Sequence, residues 1–157
     1  MSRQLEAVFF DFGRTLYDPV EKGLFPNTVD VLENIRSRGL AIGLVSIALT
    51  DNTEERVADL ERLGIKHFFD EVQVIPRSNP VKDFRLIARK LNVETADSMV
   101  VGDNLKRDIA PGNEVGAFTV WTKERLLGNF MPETTLQIPN ETINHLREML
   151  PLLEQLI

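Results

Sequence analysis

Leu5-Glu6-Ala7-Val8-Phe9-Phe10-Asp11-Phe12-Gly13-Arg14-Thr15 is the stretch on which the fold turns: an apolar run hands one carboxylate, Asp11, to a glycine-containing turn. Four consecutive apolar residues, Ala7 to Phe10, fit a strand buried on both faces, the pattern of a parallel sheet covered by helices. In open parallel α/β sheets ligands bind beyond the carboxyl ends of the strands. Asp11 therefore stands where such an architecture puts its chemistry.

Outward from this stretch, strand and helix patterns alternate. Val29, Leu32, Ile35 and Arg36 fall at helical spacing after the start signal Pro26-Asn27-Thr28, and Gly39 closes that helix. Leu40 to Ser46 reads as a second buried strand that ends in a hydroxyl. Asp51 or Thr53 is positioned to cap a helix carrying Val57, Leu60 and Leu63, stopped by Gly64. Glu71 to Ile75 reads as a third strand, Pro76 to Pro80 as a loop and Lys82 to Leu91 as a helix. Asp97 to Asp103 is a fourth strand, again delivering a carboxylate. Asp108 to Val115 reads as a short helix weakened by Pro111 and Gly112. Gly116 to Trp121 is predicted as strand five, Leu136 to Ile138 as an edge strand, and Thr142 to Ile157 as an amphipathic helix bent at Pro151. This alternation predicts an α/β, three-layer, Rossmann-like fold with a mainly parallel sheet, in one domain spanning residues 1–157.

Composition narrows the function. A chain of 157 residues is long enough to bury roughly two thirds of its unfolded surface in one core. The absence of cysteine excludes disulfides, thiolate metal sites and a cysteine nucleophile. A net charge of −6 argues against a general electrostatic grip on nucleic acid or on acidic membranes. No apolar run approaches the roughly 20 residues that span a bilayer, and the N-terminus lacks a leader pattern. The expectation is a soluble cytoplasmic protein.

Topology then gathers the candidate site. Asp11, Ser46 and Asp103 all close predicted strands, so they meet at one rim of the sheet although far apart in sequence. With Asp108 five residues beyond Asp103, this is an oxygen-rich set suited to a hard cation such as Mg²⁺. A carboxylate beside such an ion can attack phosphorus to give an aspartyl phosphate.

Asp11-Phe12-Gly13-Arg14-Thr15-Leu16, Leu44-Val45-Ser46, a downstream lysine, and Val101-Gly102-Asp103-Asn104-Leu105-Lys106-Arg107-Asp108-Ile109 together resemble the four ordered motifs of the haloacid dehalogenase superfamily. The resemblance implies Asp11 as nucleophile and metal ligand, the Gly13 carbonyl as a second ligand, Ser46 on the substrate phosphoryl group, and Asp103 and Asp108 around Mg²⁺. The lysine of the third motif is assigned to Lys82, with Arg77 as the runner-up, because Asn79 occupies the usual place. His67, His145 and Trp121 are assigned structural or surface roles.

Two departures bear on activity. Phosphatases of that superfamily place a second Asp two residues after the nucleophile as acid and base, and here that position is Gly13; the usual glycine after it is Arg14. Losing a positioned acid and base removes about 10²- to 10⁴-fold in rate. The resemblance therefore implies a Mg²⁺-dependent hydrolase, foremost a phosphatase of reduced activity. The alternatives are a hydrolase of carbon–halogen or carbon–phosphorus bonds and a non-catalytic phospho-ligand or protein-binding module that retains the metal site. Only about 30 residues separate Thr15 from Ser46, too few for a cap domain. An open site of this kind implies a phosphorylated substrate that is bulky or macromolecular, or a second subunit serving as lid. Leu146, Met149, Leu150, Leu152, Leu153, Leu156 and Ile157 offer an apolar surface for such a homo-oligomer, or a face for packing on the chain's own sheet.

Overall fold

The computed structural model describes residues 4–50, 52–126, 128 and 130–156. The N-terminal apolar run is strand β1 (Ala7–Phe10), buried along its whole length. An antiparallel hairpin of β2 (Tyr17–Asp18) and β3 (Gly23–Leu24) follows it. Next come helix α1 (Thr28–Ser37), strand β4 (Ala41–Ile47), helix α2 (Glu54–Arg62) and strand β5 (Glu71–Ile75). The second half runs through α3 (Phe84–Lys90), β6 (Ser98–Gly102), α4 (Ala110–Glu114), β7 (Phe118–Thr122), β8 (Glu141–Ile143) and α5 (Met149–Leu156).

Six strands form one sheet in the order β5-β4-β1-β6-β7-β8, every pairing parallel. Alternation along β1 builds the layers above and below it. Val8 and Phe10 join a core with Leu32 and Ile35 of α1, Leu60 of α2 and Met149 and Leu153 of α5. Ala7 and Phe9 face the other way, onto Phe84, Ile87 and Ala88 of α3. The Phe9 and Phe84 rings stack at 6.3 Å between centroids. The result is the three-layer, Rossmann-like arrangement expected, with no cap domain among the described residues: only the β2–β3 hairpin stands between Thr15 and α1. From β1 the chain winds outward to β4 and β5, then returns across the sheet to β6 and β7. The switch in direction opens a crevice beside β1 at its carboxyl end, next to Asp11.

Several elements differ from their sequence reading. The edge strand is Glu141–Ile143, whereas Leu136–Ile138 is not a strand, its first two residues lying in a single turn of 3₁₀ helix. The Asn113 side-chain amide donates to the Leu136 and Ile138 carbonyls at 2.7 and 2.8 Å, holding that segment off the sheet. Asn140 accepts the Thr119 N–H at 2.8 Å and so starts the edge pairing only after Pro139. The C-terminal helix correspondingly begins later, at Met149, behind a 3₁₀ turn at Leu146–Glu148. Glu148 folds back to accept the Asn144 and His145 N–H groups and fixes that start.

The segment read as a helix from Asp108 starts earlier, as a π-type turn Leu105–Ile109 capped by Asn104, before α4. Helix α2 takes its cap from Asn52, which accepts the Glu54 N–H at 3.1 Å, and Thr53 makes no side-chain cap bond. Asp51, the other candidate cap, lies outside the described residues. Leu146, Met149, Leu152 and Leu153 are buried in the chain's own core, with Leu150 and Leu156 packed against it. The apolar run offered as a subunit surface is thus spent internally, apart from Ile157, which lies outside the described residues. Among the described residues no helix is long and apolar enough to cross a membrane.

Candidate active site

Strand ends converge as parallel pairing requires. Asp11 follows β1 directly, and its N–H donates to the Val101 carbonyl of β6 at 3.0 Å, so the first carboxylate is pinned beside the strand that delivers Asp103. Ser46 lies near the end of β4, the neighbour of β1 on the other side. Asp11, Gly13, Ser46, Lys82, Asp103 and Asp108, the six residues named from sequence, line one cleft of about 350 Å³ together with Arg14, Arg56 and Arg77.

Lys82 lies in the extended segment ahead of α3, whose cap is Asp83, rather than on the helix itself. Its Nζ donates to Asp11 Oδ1 at 2.9 Å and to Asp108 Oδ1 at 2.5 Å. A lone ammonium at 2% side-chain exposure costs several kcal/mol in lost hydration. Burial alone would lower the Lys82 pKa, but the charges of Asp108 and Asp11 outweigh it and raise the ammonium above its ordinary value. Arg77, the runner-up, is exposed on the lip of the cleft.

Asp108 is buried and held on both oxygens, Oδ1 by Lys82 and Oδ2 by the Asn104 N–H at 3.1 Å. Gly102 makes room for it: a Cβ there would lie 2.4 Å from the Asp108 carboxyl carbon. One oxygen from each of Asp11, Asp103 and Asp108 lies within 4.8 Å of the others. Burial, then the charges of Asp11 and Asp108, push the Asp103 carboxyl up to about 9. Burial and Asp11 push Asp108 up to about 6 against the opposing pull of Lys82. Carboxylates whose ionisation is opposed by burial and by one another form a site short of a cation. An all-oxygen donor set with one lysine already in place fits a small hard ion such as Mg²⁺.

Three contributors have no role in the site in the sequence reading. Arg56, on α2, donates Nε to the Ser46 hydroxyl at 3.0 Å and Nη1 to Asp59 at 3.0 Å, with its guanidinium 4.2 Å from the centre of the Phe12 ring. Burial lowers its pKa, and the Asp59 and Asp11 charges oppose the shift. The signal was present in the sequence: Arg56 precedes Leu60 by one helical turn, on the stripe that faces the core. Thr15 Oγ1 donates to Asp11 Oδ2 at 3.3 Å. Trp121, read as a packing residue, is buried and also donates its indole N–H to the Asp103 carbonyl at 2.9 Å, fixing the turn behind that carboxylate. His67 packs at a tilt against Phe68 and His145 sits 3.8 Å from Glu124, and neither lines the cleft.

The profile of haloacid dehalogenase-like hydrolases matches residues 5–116. A glyceraldehyde 3-phosphate phosphatase of Methanopyrus kandleri is 31% identical over 137 residues, covering 84% of this chain and 57% of its own length. A ribulose-1,5-bisphosphate 5-phosphatase of Halopiger xanaduensis is 34% identical over 106 residues, covering 64% of this chain and 42% of its own. The chain thus spans about half the length of the curated relatives it matches. A HAD phosphatase from Thermococcus onnurineus has the same fold, with a TM-score of 0.76 at 19% identity over 95% of this chain and 98% of that one. With the family profile running from Leu5 to Gly116, well over half of its length, this chain belongs to the haloacid dehalogenase-like hydrolases.

Proposed function

We propose that the chain is a Mg²⁺-dependent phosphatase of small phosphomonoesters, in which Asp11 is the nucleophile. The observation that carries this reading is the single ammonium of Lys82 bridging Asp11 and Asp108, with Asp103 close enough to complete an oxygen cage. That arrangement orients one Asp11 oxygen and leaves the cage one positive ion short. The names of the curated relatives, phosphatases of small phosphorylated metabolites, favour a small substrate over a macromolecular one.

Asp11, Asp103, Asp108 and the Gly13 carbonyl would hold the ion, with the residues 1–157 acting as one catalytic unit. When bound, Mg²⁺ offsets negative charge on the transferring phosphoryl group. The chain's own residues do the rest. Lys82 and the hydroxyl of Ser46 bind phosphoryl oxygens, so two anions can approach. An Asp11 carboxylate oxygen attacks phosphorus, the bond to the leaving oxygen breaks, and an aspartyl phosphate forms. Water then attacks that phosphorus, which frees Asp11 and releases inorganic phosphate. Gly13 carries no side chain to protonate the leaving oxygen or to activate the water, so the leaving group takes its proton from solvent and turnover is slow for poor leaving groups.

The test is phosphate release from an activated aryl phosphate, with and without Mg²⁺, by wild type and Asp11→Asn. Mg²⁺-dependent release that Asp11→Asn abolishes is the expected result. An inert wild type that still binds Mg²⁺ and a beryllium fluoride adduct would instead identify a phospho-ligand binding module. Release that survives Asp11→Asn would remove Asp11 from the role of nucleophile.

A further inference from the structure

The cleft at Asp11 does not end at the nucleophile. A second cleft of about 510 Å³ adjoins it, and the two share Arg14, Asp103, Asn104 and Arg107 in their walls. Arg14 stands at the seam. Its backbone is left-handed, φ 62°, a conformation that disfavours any residue with a Cβ and that Arg14 keeps through its N–H donating to the Tyr17 carbonyl at 2.8 Å. Its side-chain Nε is buried and has no hydrogen-bond partner among the described residues. A buried guanidinium donor left unpaired is costly, and backbone strain held in place by its surroundings clusters at ligand-binding sites.

The outer cleft has the chemistry to hold an anion against the Arg14 guanidinium, which lines both clefts. Arg14, Lys106 and Arg107 line it against Glu133, while Asp103 belongs to the carboxylate cluster. Lys106 and Arg107 are exposed, and their backbone N–H groups are tied to Asn104 Oδ1 at 3.0 and 2.9 Å, which holds this basic turn in place. Part of the wall is apolar, with Phe130 and Met131 at 59% and 75% exposure. A neutral leaving group would leave the positive charge of Arg14, Lys106 and Arg107 offset only by Glu133, and a cationic one would be repelled by those three side chains. A carboxylate or phosphoryl oxygen pairs with a guanidinium in charge-assisted bonds.

We propose that Arg14 is a specificity-determining residue that binds a second anionic group, carboxylate or phosphate, on the leaving portion of the substrate. This rests on the phosphatase reading given above. The substrate class is therefore phosphomonoesters that carry two anionic ends, one at Asp11 and one at Arg14, with the apolar wall contacting the carbon skeleton between them.

The test compares three shape-related esters: 4-carboxyphenyl phosphate, 1,4-phenylene bisphosphate and neutral-ended 4-carbamoylphenyl phosphate. The carbamoyl group withdraws electrons more strongly than the carboxylate, so intrinsic reactivity favours the neutral ester. A preference for the anionic ones must come from the protein. Wild type should favour at least one anionic ester by about 10-fold or more in kcat/KM, the size of a charge-assisted hydrogen bond. Which anionic ester is preferred tells carboxylate from phosphate. Arg14→Gln should bring the ratio close to one, and Arg14→Lys should keep part of it. A wild-type ratio near one, or a full ratio in Arg14→Gln, overturns the proposal. Calorimetric binding of the same esters to Asp11→Asn, with and without Arg14→Gln, separates the two readings. Absent turnover with an Arg14-dependent binding preference rejects the phosphatase alone, and absent preference rejects the subsite.

Discussion

Arg56 donates its Nε hydrogen to the Ser46 hydroxyl at 3.0 Å, tying α2 to the end of β4 across the crevice. The bond makes Ser46 an acceptor on that side, so its own proton points to whatever else occupies the cleft. Arg56 is itself 8% exposed, wedged against Phe12 and anchored on Asp59. A lysine cannot reproduce the fork that reaches Ser46 and Asp59 together. Arg56→Lys is expected to lower kcat/KM by about 10- to 100-fold with a modest loss of thermal midpoint. A loss of stability with kcat/KM unchanged per folded molecule would reduce Arg56 to a packing residue.

Gly13 is replaceable on steric grounds, because a Cβ at that position meets nothing within 4 Å among the described residues and its φ is not left-handed. Gly13→Asp places a carboxyl two residues after the nucleophile, where it can protonate a leaving oxygen. Turnover of esters with poor leaving groups should rise by about 10²-fold or more, and turnover of activated aryl esters should change much less. Steady-state rates across a series of leaving groups measure both, and a uniform change across the series would deny Gly13→Asp the role of acid.

The raised carboxyls set the pH response of the metal-free protein. Asp103 near 9 and Asp108 near 6 both lie above the ordinary carboxylate value, so between about pH 4 and 9 the folded chain holds more protons than the unfolded one. Stability in chelator should therefore fall as pH rises through this window. Lys82 is raised from a higher starting value and stays charged throughout it, so it adds no slope. Mg²⁺ competes with those protons and should stabilise more at pH 8.5 than at pH 6. Thermal melts at the two pH values, with chelator or with Mg²⁺, measure both slopes, and Asp103→Asn should flatten the chelator curve. A midpoint that climbs with pH in chelator would contradict the crowding of these carboxylates.

Gly102 is where the backbone yields to a side chain. Adding a Cβ there sets it 2.4 Å from the Asp108 carboxyl carbon and 2.5 Å from Oδ2, and Asp108 is too short to swing clear. Gly102→Ala should displace Asp108 from Lys82 and from the Asn104 N–H, lowering stability by about 1 to 3 kcal/mol and Mg²⁺ affinity by about 10-fold or more. Gly13→Ala, with open space around its new methyl group, is the control for glycine loss beside the same cleft. Melting curves and Mg²⁺ titrations of the pair decide the matter, and equal effects would contradict the distinction drawn between the two glycines.

Much of this protein was legible along the chain. Apolar runs of four or five residues ending in Asp11, Ser46 and Asp103 carry their own meaning, because a strand buried on both faces has no polar position until it leaves the sheet. Alternation with helical stripes then orders those strands in parallel and sends their carboxyl ends to one rim. The last part of the chain was harder to read. Leu136–Ile138 and Glu141–Ile143 have similar claims to an edge strand, and side-chain bonds from Asn113 and to Asn140 choose between them.

Sequence by itself determined the parallel α/β order and the carboxylates at its rim, since both follow from local periodicity. Only the tertiary structure decided which cation enters the cluster, because Lys82 and Arg77 sit in the same loop and only its path buries one and leaves the other exposed. Arg56 and Arg14 likewise become part of the cleft only when α2 and the turn after β1 close around it. Their roles depend on burial and on distances across the sheet, and a linear pattern of residues encodes neither.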